Sequence, residues 1–136
     1  MMKGRLCAVP VFCVYGGMLV DILAQTDAFF AGKPQQWKVF EAVRKAILVR
    51  YPDASIRVMK TCIAFDDPKP LCYVSFPPKK GMAGLMLTIS LKEMMHHSRF
   101  CMVVPVSKQR FTVHIHIADE SQADQELMDL IALSHR

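Results

Sequence analysis

The chain has 136 residues, with 17 Lys or Arg against 12 Asp or Glu and a net charge of +5. That length is one domain with room for a core that needs no staples, and 52% hydrophobic residues beside 21% charged ones exclude a disordered chain. Five cysteines, an odd number without a C-x-x-C pair, exclude a zinc ribbon and a complete disulfide framework within one chain. Free thiols in a reducing cytoplasm are the expectation.

Residues 1–25 read as an apolar extension. "MMKGR" gives a basic start, and "LCAVPVFCVYGGMLV" (6–20) runs fifteen residues without a charge. A helix needs about 20 apolar residues to span a bilayer, so no membrane partner is expected. The run has the make-up of a signal-peptide core, with "ILA" before Gln25 as a cleavage site. Pro10, the Gly16-Gly17 pair and Asp21 count against that. A strand or tail packed on the domain, or an over-long start with Met18 as initiator, is preferred.

Residues 26–136 read as a single α+β domain. The first helical region covers 27–50. Thr26 or Asp27 suits a cap, Gly32 the left-handed residue that ends a turn, and Pro34 the first turn of the next helix. Phe40, Val43 and Ile47 form one stripe with Trp37 at its edge, and Glu41 and Lys45 stand as an i,i+4 pair opposite. Tyr51-Pro52 closes the helix, because the residue before a proline leaves helical geometry.

Five strand-like runs follow between 55 and 118: "SIRVMKTCIAF", "LCYVSF", "LMLTISL", "FCMVVPV" and "FTVHIHI". Short connections rich in Pro, Gly, Asp and Lys favour antiparallel neighbours. Pro105 points to a sheet edge or a bulge. The last element is a helix near 121–134, capped by Asp119 or Ser121, with Gln122 placed as in a capping box. Its inward stripe is Ala123, Leu127, Leu130, Ile131 and Ser134. The expected architecture is a five-stranded, mostly antiparallel sheet with an N-terminal helix and a C-terminal helix packed on one face.

"FFAGKP" at 29–34, "IRVMKTCIAF" at 56–65, "VSFP" at 74–77, "SRF" at 98–100, "RFTVHIHI" at 110–117 and "DQELMDLI" at 124–131 keep their order and spacing. Through them the chain resembles a family of small bacterial proteins that carry a domain of unknown function. The resemblance spans residues 26–136 and implies the fold, not an activity. Where that family shows an "NRH"-like turn, this chain has "DDPKP"; where it shows adjacent histidines after R-x-T, this chain has Val113-His114. An activity resting on those positions is not implied here.

The strand 110–117 alternates Phe111, Val113, Ile115 and Ile117 with Thr112, His114 and His116. Its polar side would join Thr88, Ser90, Tyr73, Ser75 and Thr61 on one sheet face, beside the plain alternative of a solvated back face. Two imidazoles at i,i+2 with Glu120 match the H-x-H-x-x-x-E ligand spacing of cupin barrels, and such a donor set suits zinc, iron, nickel or manganese. Lys108 and Leu127 stand where cupins carry glycines, and no second histidine motif follows. A metal-dependent enzyme using His114, His116 and Glu120 is therefore the alternative, and the polar side of a sheet is the reading. His96, His97 and Arg99 fall in a turn, read as an exposed loop.

P-loop, G-x-S-x-G and dinucleotide motifs are missing, so no cofactor and no catalytic residue is assigned. Lys60, Lys69, Lys79, Lys80, Lys108 and Arg110 lie at strand ends and in turns without the interleaved aromatics of a nucleic-acid surface. Lys60 and Arg110 open the two strands that the resemblance marks most strongly. As neighbours, those strands would set two cations near His114, His116, Thr61 and Thr112, which is the chemistry of a site for a small anionic ligand. The expected function is a non-enzymatic binding or interaction module, forming a homodimer through its apolar segment.

Overall fold

A computed structural model of the chain describes residues 22, 24–79 and 81–135. The apolar run 6–20 and its competing readings lie outside these, as does Lys80. The chain divides between Gly32 and Lys33 into two units. In the first, residues 24–29 are helical. The Thr26 hydroxyl donates to the Ile22 carbonyl at 2.7 Å, so Thr26 bonds back along a helix instead of capping one. Gly32 takes φ +74°, the left-handed conformation its position called for.

The second unit opens with α1 (Pro34–Arg50), whose proline stands in the first turn. Its buried stripe is Val39, Phe40, Val43 and Ile47, and Phe40 sits 5.9 Å from Phe65 between ring centroids. Each such side chain contributes about 1.5–3 kcal/mol by leaving water. Glu41 pairs with Arg44 one turn on, at 2.9 Å, and not with Lys45. The bidentate geometry of guanidinium on carboxylate explains the preference.

Among the described residues the sheet has six strands: β1 (Ser55–Val58), β2 (Cys62–Asp66), β3 (Pro70–Ser75), β4 (Leu85–Leu91), β5 (Phe100–Ser107) and β6 (Arg110–Ile117). Their order is β1-β2-β3-β4-β6-β5, and every neighbouring pair is antiparallel. The expected five strands become six because the first run folds back on itself. The Met59 N–H bonds to the Cys62 carbonyl at 2.8 Å, leaving Lys60 and Thr61 as the hairpin tip. No Gly, Pro or Asn marks that turn, so the alternation reads straight through it.

The short segment between β4 and β5 does not join neighbours, another departure from expectation. β6 lies between them, and residues 92–99 cross from the Leu91 end of the sheet to its Phe100 end. Arg99 pins this crossover, donating to the Gln122 carbonyl and to Asp124, both at 2.7 Å. Asp119 caps a short 3-10 turn (Glu120–Gln122). Asp124 then caps α2 (Gln125–His135) by accepting the Leu127 N–H at 3.0 Å. Gln122 accepts from the Ala118 N–H, one residue before the position a capping box uses.

Ile63, Phe65, Val74, Leu87, Ile89, Val113, Ile115 and Ile117 are buried with Leu127, Leu130 and Ile131 of α2. α1 touches β4, α2 touches β3 and β4, and the helices touch each other. Gln35 ties the start of α1 to this layer. Its carbonyl accepts from the Gly84 N–H at 2.7 Å, and its amide donates to the Ala118 carbonyl at 3.0 Å.

Candidate cleft at one end of the sheet

The register defines the outer face. Tyr73 is opposite Thr88, and Thr88 is opposite His114. Ser75 is opposite Met86 and Met86 opposite His116, while Ser90 is opposite Thr112. The face therefore collects the polar residues expected of β3, β4 and β6. The Thr88 hydroxyl and His114 Nδ1 share a hydrogen bond of 3.0 Å. His116 Nε2 lies 2.7 Å from the Ala83 carbonyl and, facing an oxygen that only accepts, carries the proton.

On β2 the expected parity is reversed. Ile63 and Phe65 point to the helices and are fully buried, so Cys62 and Ala64 share the outer face. The two-residue hairpin then brings in Arg57, opposite Ala64. Arg57 holds Asp66 at 3.1 Å. That carboxylate first, and the Tyr73 hydroxyl after it, push the guanidinium pKa further up. Thr61 leaves the face for the hairpin tip.

At the Arg110 end the sheet opens. β3 pairs with β4 only through Tyr73–Thr88, Val74–Leu87 and Ser75–Met86. The ladder does not continue to Pro70, Leu71 and Cys72 on one side or to Ile89, Ser90 and Leu91 on the other. The cause lies in β3, where Asp66 pairs with Pro70 and Phe65 with Cys72, making Leu71 the extra residue of a bulge. A bulge bends its strand and ends pairing locally. Ser134 of α2 fixes this one by donating its hydroxyl to the Leu71 carbonyl at 2.8 Å.

The result is a cleft of about 1070 Å³, just above the roughly 300–1,000 Å³ usual for ligand clefts. Tyr73, Thr88 and Ser90 line it from the outer face and Cys72 and Leu91 from the inner, with Leu71 lining it at the bulge. Three connections bring a cation each: Lys69 from the β2–β3 turn, Lys92 from the end of β4 and Arg110 from the β5–β6 hairpin. Glu93 adds one carboxylate. Arg44, Arg50, Arg57 and Arg99 each pair with a carboxylate. Arg110 is the one arginine among the described residues without such a pair.

The structure does not bring Lys60 and Arg110 together. β3 and β4 lie between their strands. Cys62 shares a row with Ser75, Met86 and His116, whereas Arg110 pairs with Ser107 at the opposite end. Thr112 and His114 stay on the outer face near Arg110, and His116 lies towards the Lys60 end. Glu120 does not join the imidazoles: among the described residues no three of His, Cys, Asp and Glu are placed to hold a metal ion. The Cys72 side chain is buried, which pushes its thiol pKa up and keeps it un-ionised.

The 94–100 turn is less open than expected. Arg99 already has its carboxylates, Asp124 and Glu126. His97 stacks on Phe100 at 5.4 Å and accepts the Arg99 N–H at 3.1 Å. A shallower recess of about 390 Å³ lies beside these residues and Cys101. Lys92 and Arg57 are what sequence reasoning missed. Lys92 directly follows a strand end, a legible signal, whereas Arg57 reaches the outer face only through the hairpin.

A family model described as "Domain of unknown function (DUF5655)" matches residues 26–136. No curated protein and no solved structure matches.

Proposed function

The chain belongs to the DUF5655 family of domains of unknown function, and we propose that it is a non-enzymatic binding module for an anionic ligand, held in the cleft between β3 and β4. The guanidinium of Arg110, which lines that cleft and has no carboxylate partner among the described residues, carries the reading. Arginine presents a rigid fork of donors that matches carboxylate or phosphate. Ser90 adds a hydroxyl to the same lining, further along which the Thr88 and Tyr73 hydroxyls already engage His114 and Arg57. Of the expected site this keeps Arg110, leaves Thr112 and His114 outside the lining of the cleft, and replaces Lys60 with Lys69 and Lys92. A thermal-shift panel of phosphate, nucleotides, dicarboxylates and short oligonucleotides tests it. An anion at 100 times its dissociation constant stabilises the fold by about 2.7 kcal/mol; a panel without any response removes the reading.

A second reading concerns self-association, with β5 as its support. This edge strand carries no charged residue, and Met102 and Val106 are 57% and 60% exposed. Edges take up another strand where charge, proline or a bulge does not blunt them. Pro105 and the register shifts at Phe100/Met102 and Pro105/Ser107 leave residues 102–104 as the stretch open to pairing, and two-fold pairing is the commonest way for a chain to cover itself. Light scattering of the wild type and of Val104→Lys tests it: a dimer that the lysine dissociates supports the homodimer, and a monomeric wild type ends it. Cys62, Cys72 and Cys101 are free, in keeping with a cytoplasmic location. No helix among the described residues is long and apolar enough to cross a membrane.

A further inference from the structure

Resting on the cleft reading above, we infer that the occupant is an extended acidic peptide segment, added as a short strand along the open edge of β4. Three observations converge on that chemistry. Ile89, Ser90 and Leu91 pair with Val113, Thr112 and Phe111 of β6 on one side, while on the other side the β3 ladder stops at Tyr73–Thr88. A β-strand presents N–H and C=O groups to both sides, so this stretch offers the cleft acceptors as well as donors. A small anion matches only the donors and is repelled by the carbonyls. A peptide main chain matches both, which is the logic of strand addition.

The second observation is the two-sided lining. Cys72 and Leu91 stand towards the helices by register, and Tyr73, Thr88 and Ser90 on the outer face. An extended chain alternates its side chains between faces, so apolar residues would meet the first set while the intervening ones face outward. The third is charge. Lys69, Lys92 and Arg110 reach the same cleft from three separate places in the chain, and among the described residues that line it Glu93 is the one carboxylate. Glutamate or aspartate at the outward positions complements them, with Arg110 taking one carboxylate through two parallel N–H bonds.

The test uses the full-length chain and an acetylated, amidated hexapeptide of alternating valine and glutamate, followed by fluorescence anisotropy. Its comparators are the glutamine counterpart, two versions N-methylated at every second residue in opposite phases, and phosphate and citrate as free anions. The inference expects N-methylation in one phase to weaken binding about tenfold or more, since it removes main-chain donors. Arg110→Ala and the glutamine peptide should each weaken it to a similar degree. Arg110-dependent binding of phosphate or citrate, with a peptide that fails to bind or is indifferent to N-methylation in both phases, overturns the peptide and leaves the anionic cleft standing. Binding of neither peptide nor free anion overturns both. An oligonucleotide that binds Arg110 in preference to the peptide overturns the peptide as occupant.

Discussion

The Ser134 hydroxyl donates to the Leu71 carbonyl at 2.8 Å, linking the last turn of α2 to the bulged residue of β3. Leu71 is 1% exposed, so its carbonyl depends on protein partners where the β3–β4 ladder has stopped. The same hydroxyl lies 2.7 Å from the Ile131 carbonyl, within its own helix. Ser134→Ala should therefore cost about 1–2 kcal/mol, the penalty for leaving a buried acceptor unmet. Urea denaturation measures it. A loss indistinguishable from zero would mean that another group satisfies Leu71 and that the helix does not hold the bulge.

Gly84 should tolerate no side chain. It takes φ +76°, and a Cβ there would collide with the Ile117 carbonyl, while its N–H is held by Gln35. Gly84→Ala is expected to destabilise by about 3 kcal/mol or more, combining backbone strain with displacement of β4 from β6. Gln35→Ala removes both its bonds and should cost about 1–2 kcal/mol. Thermal melts of the two variants check the ranking.

Acid should weaken the contact between the crossover and α2. Burial pushes the Asp124 carboxyl up, but the Leu127 N–H and the Arg99 guanidinium outweigh it and hold the carboxyl below its usual range. Asp129 is lowered too, first by Arg50 and then by Gln125. A carboxyl lowered in the folded state contributes stability that is complete above its unfolded value and lost as pH falls through the folded one. The urea midpoint should fall on going from about pH 4 downwards, and fall less in Asp124→Asn. An equal fall in that variant would place the acid sensitivity elsewhere.

Much of this fold was legible because one face of each element is buried. The stripe of Phe40, Val43 and Ile47, the alternation of β6, the turn at Gly32 and the edge position of Pro105 follow from periodicity and backbone chemistry. The hairpin at Lys60-Thr61 was not legible, since neither residue has a turn preference and the apolar alternation runs past both. That omission merged β1 with β2 and reversed the parity of Thr61. Strand order is a tertiary choice: β6 enters between β4 and β5 because the 92–99 crossover is anchored by Arg99 to the start of α2. Of the expected anion site, Arg110 was legible as a cation at a strand end. Its neighbours were not, because a bulge at Leu71 and not a motif makes the cleft.

Anion binding in the cleft beside Arg110 is read from the thermal response of Arg110→Ala and Arg44→Ala, measured side by side with whichever anion stabilises the wild type. Arg44 already holds Glu41, whereas Arg110 has no carboxylate partner among the described residues. The response should disappear in Arg110→Ala and persist in Arg44→Ala; an undiminished response in Arg110→Ala would mean that the anion binds elsewhere.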